Sequence, residues 1–186
     1  MVSSDAHASL DLDRWLADPA IRITHRRDSS ATPESLWEAA RGVRLTDTML
    51  LGKLVRWRIP GVPAGISYDE LFRSPPFVVL VEGEQLLISG LVGRIWTLRR
   101  DYPSLTDPSS FRAWSEAGTA RVLFANWAAP PGASDARAAL WSETRLEAFG
   151  AQGRIGLATV RPLIRGFQQL VASDAIAAAV RRAEEG

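Results

Sequence analysis

The chain has 186 residues, of which 46% are hydrophobic and 23% are charged, values that are typical of a single globular domain. Its formal net charge of +1 provides no overall attraction to nucleic acid or to an anionic membrane, and its lack of cysteine excludes disulfides, thiol nucleophiles and thiolate metal sites. No stretch reaches the roughly 18 consecutive apolar residues of a membrane span, and the first residues do not have the pattern of a secretory signal, so we expect a cytoplasmic protein.

The N-terminal segment, residues 1–19, is predicted to be a tail followed by a short helix. Leu12, Trp15 and Leu16 have the spacing of one helical face, and a proline follows them closely. We interpret this segment as a strap that packs on the body of the protein. Residues 20–184 are then expected to form one domain.

The first strand is predicted to begin at Ile21, because apolar and polar residues alternate from there to about Arg27. In an unbulged strand His25, Arg27 and Ser29 lie on the same face as Ile21. This face is therefore unusually polar near its end, unless the strand ends early. His25 is a candidate acid or base in a cavity, and the alternative is a packed or surface histidine.

Short helices are predicted after the first strand. A helix over residues 33–41 is indicated by the Thr32 cap, the proline at its first position and the glycine that follows it. Residues 46–58 predict a second helix, and residues 67–73 predict one further helical turn.

A hairpin is predicted next. Residues 77–81 and 86–96 have strand composition, and residues 82–84 form the turn between them. Gly90 and Gly93 lie inside the second of these strands, where glycine permits the bend or bulge that a curved sheet needs.

A longer hairpin and a long helix complete the chain. Residues 119–127 and 137–149 predict two antiparallel strands, whereas residues 102–110 predict a loop. From residue 150 onward apolar residues recur every three or four positions, which predicts one amphipathic helix. Pro162 is expected to kink this helix, and the nearby Gly166 to weaken it.

This order of elements resembles that of the START/Bet v 1-like superfamily, which includes polyketide cyclases and lipid-transport proteins. Residues 31–37, Ala-Thr-Pro-Glu-Ser-Leu-Trp, are similar to the Ala-Pro-Pro-Glu-x-Val-Trp pattern at which the superfamily begins. Residues 90–96, 142–145 and 163–167 resemble stretches of its actinobacterial branch. The resemblance extends over about residues 20–182.

The resemblance implies an α+β helix-grip fold. In that fold a curved antiparallel sheet wraps around the long C-terminal helix, short helices follow the first strand, and a ligand cavity lies between sheet and helix. This chain departs from the superfamily at one point, because Arg27 and Ser29 stand where apolar residues usually follow the histidine of the first strand.

The strand alternation predicts which side chains face the cavity. Charged Arg121 is placed outside, which turns Val122, Phe124 and Asn126 inward, and the apolar and hydroxyl-bearing face of the next strand is also taken as inward. The predicted cavity-lining residues are His25, Arg27, Val92, Arg94, Trp96, Val122, Phe124, Asn126, Leu140, Ser142, Thr144, Val160, Leu163 and Phe167.

Arg94 is the candidate anchor for a ligand carboxylate. It shares a strand face with Val92 and Trp96, and a buried cation needs an anionic partner. The alternative is an exposed or internally paired arginine. The polar residues of the last two strands offer further ligand contacts on an apolar wall, unless neighbours or water satisfy them.

No catalytic residue, metal site or cofactor is predicted, because the chain has no nucleotide-binding loop, serine-hydrolase elbow or zinc-protease helix motif. The leading hypothesis is a non-enzymatic protein that binds a hydrophobic or amphipathic small molecule, without nucleic acid as a partner. Two alternatives are a polyketide aromatase/cyclase-like enzyme that uses the polar cavity residues, and a protein-interaction domain like the related Hsp90 activators. The sequence leaves the oligomeric state open.

Overall fold

The computed structural model describes residues 11–48, 50–59, 61–97, 102–130 and 135–185. The strands are β1 (Ile21–Ser29), β2 (Val78–Gly83), β3 (Leu86–Gly93), β4 (Ala120–Ala129) and β5 (Ala138–Ala148). The helices are α1 (Pro33–Arg41), α2 (Leu51–Arg58), α3 (Tyr68–Arg73), α4 (Pro108–Ala113), α5 (Gly150–Leu170) and α6 (Ala177–Glu185).

The described part of the chain forms one antiparallel sheet with the strand order β1-β5-β4-β3-β2. Helix α5, a π-helical segment at Val171–Ile176 and helix α6 follow one another without a break on the concave side of this sheet. The predicted α+β helix-grip fold is therefore confirmed. The helix predicted over residues 33–41 is also confirmed, with the Thr32 hydroxyl accepting a hydrogen bond from the Ser35 N–H at its start.

The third strand is shorter than predicted. It ends at Gly93, which has a φ of 135°, and the chain then turns away from the sheet through a hydrogen bond from the Thr97 N–H to the Arg94 carbonyl. A residue with a side chain rarely adopts this φ value, so the glycine ends the strand rather than bending it. Arg94 and Trp96 consequently lie outside β3, and the prediction that they continue the face of Val92 is wrong.

The N-terminal segment is a turn rather than the predicted short helix. The N–H groups of Trp15 and Leu16 both donate to the Leu12 carbonyl, at 3.1 and 3.0 Å, but no further helical turn follows. All three side chains are buried in a cluster on the convex face of the sheet. Residues 1–10 of the predicted tail lie outside the described residues.

Helix α4 replaces part of the loop that was predicted at residues 102–110. Asp107 caps it by accepting a hydrogen bond from the Ser110 N–H at 2.9 Å, and Pro108 occupies its first turn. This capping residue and proline were a readable helix-start signal. The helix presses Phe111 onto the sheet at Gly90, where an added Cβ would lie 2.5 Å from a ring carbon. Gly90 therefore makes room for Phe111.

The C-terminal helix changes its geometry later than predicted. It runs on through Pro162 and Gly166, and the irregular segment comes only at Val171–Ile176. Pro162 is tolerated because Ala158, whose carbonyl loses its usual donor, is exposed to solvent. A π-helical segment of this kind often marks a functional site, and here it borders the cavity described below.

Candidate ligand cavity

A cavity of about 610 Å³ lies between the concave face of the sheet and the C-terminal helical run. Strands β3, β4 and β5 form its floor, helices α1 to α3 form one side, and α5 with the π-helical segment forms the roof. Leu157 near the start of α5 is buried, but Leu163 in its middle is 66% exposed. The helix is thus buried at Leu157 near its start, whereas Leu163 farther along borders the cavity and is largely exposed.

An aromatic cluster forms much of the wall. Phe72, Phe77 and Phe124 surround one another with ring centroids 5.2 to 5.7 Å apart, and Tyr68 adjoins Phe72 at 6.4 Å. The volume and the predominantly apolar lining are typical of a small-molecule site, in which a few polar groups fix the orientation of the ligand.

The structure brings most of the predicted residues together at this cavity. In the β4–β5 register Phe124 lies opposite Thr144 and Asn126 lies opposite Ser142, so their side chains share the concave face. The predicted residues that line the cavity are Val122, Phe124, Asn126, Leu140, Ser142, Thr144, Val160, Leu163 and Phe167.

Two polar groups on the floor lack partners. Neither the Asn126 amide nor the Ser142 hydroxyl hydrogen-bonds another residue of the chain as the structure describes it. Asn126 is half-buried and Ser142 is buried, and both line the cavity, so these two offer hydrogen bonds to a bound molecule. They lie next to each other across the β4–β5 pairing.

Val92, Arg94 and Trp96 do not line the cavity. Val92 is paired with Arg121 and faces the convex side, where it is buried in the same cluster as Phe111. Arg94 is exposed after the end of the strand. Trp96 packs on α5, where an added Cβ on Gly156 would lie 2.4 Å from its ring. The inward assignment of Val92 was wrong because β3 pairs it with the outward-facing Arg121, and the alternation fails for Arg94 and Trp96 because the chain turns at Gly93.

His25 and Arg27 are on the concave face but outside the cavity wall. His25 lies opposite Ser142 in the β1–β5 register, and its Nε2 is buried. Arg27 is exposed near Glu184 of α6. Hydrogen bonds from Ser30 and Ser29, aided by the charge of Arg27, hold the pKa of the Glu184 carboxyl below its usual value. The polar end of β1 thus binds the last helix.

Arg58 is a cavity residue that the sequence analysis missed. It ends α2, and its Nη2 donates to the Ile95 carbonyl at 2.9 Å. Its guanidinium carbon lies 5.0 Å from the ring centroid of Tyr102. Its Nη1 is buried and has no hydrogen-bond partner in the described chain. The sequence shows an arginine at a helix end but not that it points inward.

Tyr68 is the second cavity residue that was missed. Burial raises the pKa of its phenol well above the usual range, with the Thr48 hydroxyl acting in the opposite direction and the charge of Asp174 adding to the effect. The hydroxyl therefore remains protonated at ordinary pH. Tyr68 lies at the first position of α3, next to its cap Ser67.

In the described ranges no group of three or more histidine and acidic side chains is placed to hold a metal ion. No helix in those ranges has both the length and the apolar character needed to cross a membrane.

No family model and no curated protein matches the chain. Among solved structures, TTHA0849 from Thermus thermophilus is 10% identical with a TM-score of 0.34, covering 88% of this chain and 97% of its own. MLL2253 from Mesorhizobium loti is 16% identical with a TM-score of 0.35, covering 87% and 98%. The Zhui aromatase/cyclase from Streptomyces sp. R1128 is 13% identical with a TM-score of 0.33, covering 87% and 94%.

Proposed function

We propose that this protein binds a hydrophobic or amphipathic small molecule in the cavity, as members of the START/Bet v 1-like superfamily do. The observation that carries the proposal is the apolar cavity of about 610 Å³ between sheet and helix. Protein interiors are normally close-packed, and an empty apolar cavity lowers the free energy of unfolding. A cavity of this size with unpartnered polar groups on its floor is best explained by an occupant.

The apolar walls would supply most of the binding free energy. Each methylene group that leaves water contributes about 0.8 kcal/mol, less the cost of ordering the ligand. The predicted residues on the floor, among them Asn126 and Ser142, would orient the ligand through hydrogen bonds.

The test is ligand binding by the purified chain. We expect native mass spectrometry to detect a co-purified small molecule, or a panel of lipids and aromatic polyketide-like compounds to contain ligands that raise the thermal midpoint. A ligand at 100 times its Kd stabilises the folded state by about 2.7 kcal/mol. If no molecule co-purifies and none in the panel binds, the proposal fails.

A matched pair of variants locates the site. Val122 lines the cavity, so Val122→Phe fills part of it and should weaken binding at least tenfold. Val81 packs against the cluster on the convex face, so Val81→Phe should not weaken binding. Equal loss in both variants would indicate a general effect on folding rather than a site in the cavity.

An aromatase/cyclase-like enzyme is the second candidate. It is favoured by the unpartnered Asn126 and Ser142 and by His25 on the same face of the sheet, because such groups can orient and protonate a reactive polyketide. Incubation with a poly-β-ketone substrate should then change its cyclisation products, and the double variant Asn126→Leu/Ser142→Ala should abolish the change. Binding without any change in products would leave only the carrier function.

The protein-interaction alternative predicts a filled interior. The cavity disfavours this alternative, because a domain that binds through its surface is expected to have a close-packed interior.

A further inference from the structure

The environment of Arg58 indicates what kind of molecule the cavity binds. One guanidinium nitrogen donates to the Ile95 carbonyl, and the guanidinium lies over the ring of Tyr102. The other terminal nitrogen, Nη1, is buried and has no acceptor, and Arg58 forms no ion pair with any carboxylate of the described chain.

Arg58 therefore differs from the buried arginines elsewhere in the fold. Arg145 is paired with Glu143, and Arg121 is paired with Glu147. A guanidinium without a counter-ion is costly in an apolar surrounding, because it has lost hydration without gaining an anionic partner. Nη1 of the half-buried Arg58 is therefore available to donate to an acceptor in the cavity, most favourably an anion.

The two helices beside the cavity have an unusual distribution of charge. Helix α2 carries Lys53, Arg56 and Arg58, helix α5 carries Arg154, Arg161 and Arg165, and neither contains an acidic residue. The whole chain has a net charge of only +1, so these two helices concentrate positive charge at one place. Such a local field attracts anionic ligands and raises their rate of association.

Exposed apolar side chains occur on the same two helices. The large hydrophobic residues that are exposed in the described chain are Leu50, Trp57, Ile155 and Leu163, all on or directly before α2 or α5. Trp57 and Leu163 also line the cavity. The two helices that border the cavity thus combine exposed apolar side chains with positive charge, which suits a molecule with an apolar body and an anionic head.

We propose that the ligand is an anionic amphiphile whose carboxylate, or an equivalent oxyanion, binds Nη1 of Arg58 while its apolar body occupies the cavity. This inference rests on the proposed function and adds the chemical class of the ligand. Arg58 thus takes the role that the sequence suggested for Arg94, because the structure leaves Arg94 exposed outside the cavity.

The experiment compares dodecanoic acid with dodecan-1-ol, which share the same chain and differ in head group. At pH 8 we expect the wild-type protein to bind dodecanoate at least tenfold more tightly than the alcohol, the usual effect of a charge-assisted hydrogen bond. The preference should decline as the pH falls below about 4, where a carboxylic acid is mostly protonated. Titration calorimetry measures both affinities.

Two substitutions that each remove one positive charge distinguish Arg58 from Arg94 as the anchor. Arg58→Gln should remove the preference for the acid and leave the affinity for the alcohol within about twofold, whereas Arg94→Gln should retain the preference. Arg58→Lys keeps the charge and should give an intermediate preference, which keeps the test usable if Arg58→Gln does not fold.

The outcomes distinguish this inference from the proposed function. If both probes bind with equal affinity, or if Arg58→Gln still prefers the acid, the cavity binds ligands but Arg58 is not the anchor, and the inference is overturned. If neither probe binds and no other molecule does, both the inference and the proposed function are overturned. A dodecanoate association rate that falls with added salt, while that of the alcohol does not, supports attraction of the ligand by the positive charge of α2 and α5.

Discussion

The convex and concave faces of the sheet differ in whether their polar groups have partners within the chain. On the convex face Glu143 is 3% exposed and accepts from Arg145 at 2.6 Å, from Arg22 at 3.1 Å and from Thr24 at 3.0 Å. Arg145 also donates to the Leu16 carbonyl at 2.8 Å and pairs with the carboxylate of the same N-terminal turn. Both carboxylate oxygens of Glu143, and Nε and Nη1 of Arg145, thus have partners within the chain.

At the cavity on the concave face some polar groups are left incomplete. Asn126 and Ser142 have no partner in the described chain, and Arg58 has a buried nitrogen without an acceptor. Packing differs in the same way, since α4 leaves no room for a methyl group at Gly90 on the convex side whereas the concave side holds a cavity of about 610 Å³. The comparison indicates that one face stabilises the fold and the other is prepared for a ligand.

The largest expected effect on this comparison is that of Glu143→Ala. Removal of one partner leaves Arg145 buried with incomplete compensation, and we expect the free energy of unfolding to fall by about 3 kcal/mol. Urea denaturation measures the loss. The control is Glu143→Leu/Arg145→Leu, which removes both charges and should be within about 1 kcal/mol of the wild type. A double variant that is less stable than the single one would contradict this account.

Gly90→Ala tests the tight packing of the convex face. The new methyl group would lie 2.5 Å from the buried Phe111 ring, so we expect a loss of about 1–3 kcal/mol. Gly166→Ala is the matched control, because nothing lies within 4 Å of its added Cβ and alanine is the better helix former by about 1 kcal/mol. Thermal and urea unfolding should show opposite signs for the two variants, and a shared sign would argue against the packing difference.

The pH dependence of stability should reveal the convex ion pair. Burial opposes ionisation of Glu143, but hydrogen bonds from Arg145 and Arg22, together with the charge of Arg145, outweigh it and hold the carboxyl pKa below its ordinary value of 4.5. A lowered pKa in the folded state stabilises the protein above pH 4.5 and ceases to do so as the pH falls through the folded-state value.

The measurement is the urea midpoint between pH 7 and pH 3. The stability difference between wild type and Glu143→Gln should be constant at neutral pH and shrink below about pH 4.5. The effect is smaller than that of Glu143→Ala because a protonated carboxyl group still forms hydrogen bonds. A difference that does not change with pH would show that the charge of Glu143 does not contribute.

The smallest effect is expected for the polar residues of the concave floor. Asn126→Leu and Ser142→Ala remove groups that have no partner in the described chain, so the free energy of unfolding should change by less than about 1 kcal/mol in either direction. A loss above about 2 kcal/mol in urea denaturation would show that these residues stabilise the fold, and the contrast between the two faces would then be wrong.

Local sequence patterns were enough wherever neighbouring residues determine the structure. The helix at residues 33–41 follows from a cap and a proline, and the two long strands follow from their composition and the turn-forming loop between them. Alternation along these strands predicted that Phe124 and Ser142 face the cavity, and they do, because β4 and β5 pair without a register shift. These features depend on backbone geometry and on contacts between adjacent strands.

Patterns failed where one residue changes the course of the chain. At Gly93 the positive φ ends β3, and every residue after it loses the phase of the alternation. Alternation with a period of two does not show where a strand ends. A glycine inside a strand and a glycine that ends a strand cannot be distinguished from the sequence.

The order of the elements, the helix-grip fold and the inward face of β4 and β5 could therefore be predicted from local patterns. Which polar groups lack partners could not, because this depends on contacts between elements that are far apart in the chain. Arg58 meets Ile95 across 37 positions of the chain, and no periodicity relates two residues so far apart. Whether an arginine is paired, exposed or left for a ligand depends on the elements that pack around it, and this can be seen only in the folded chain.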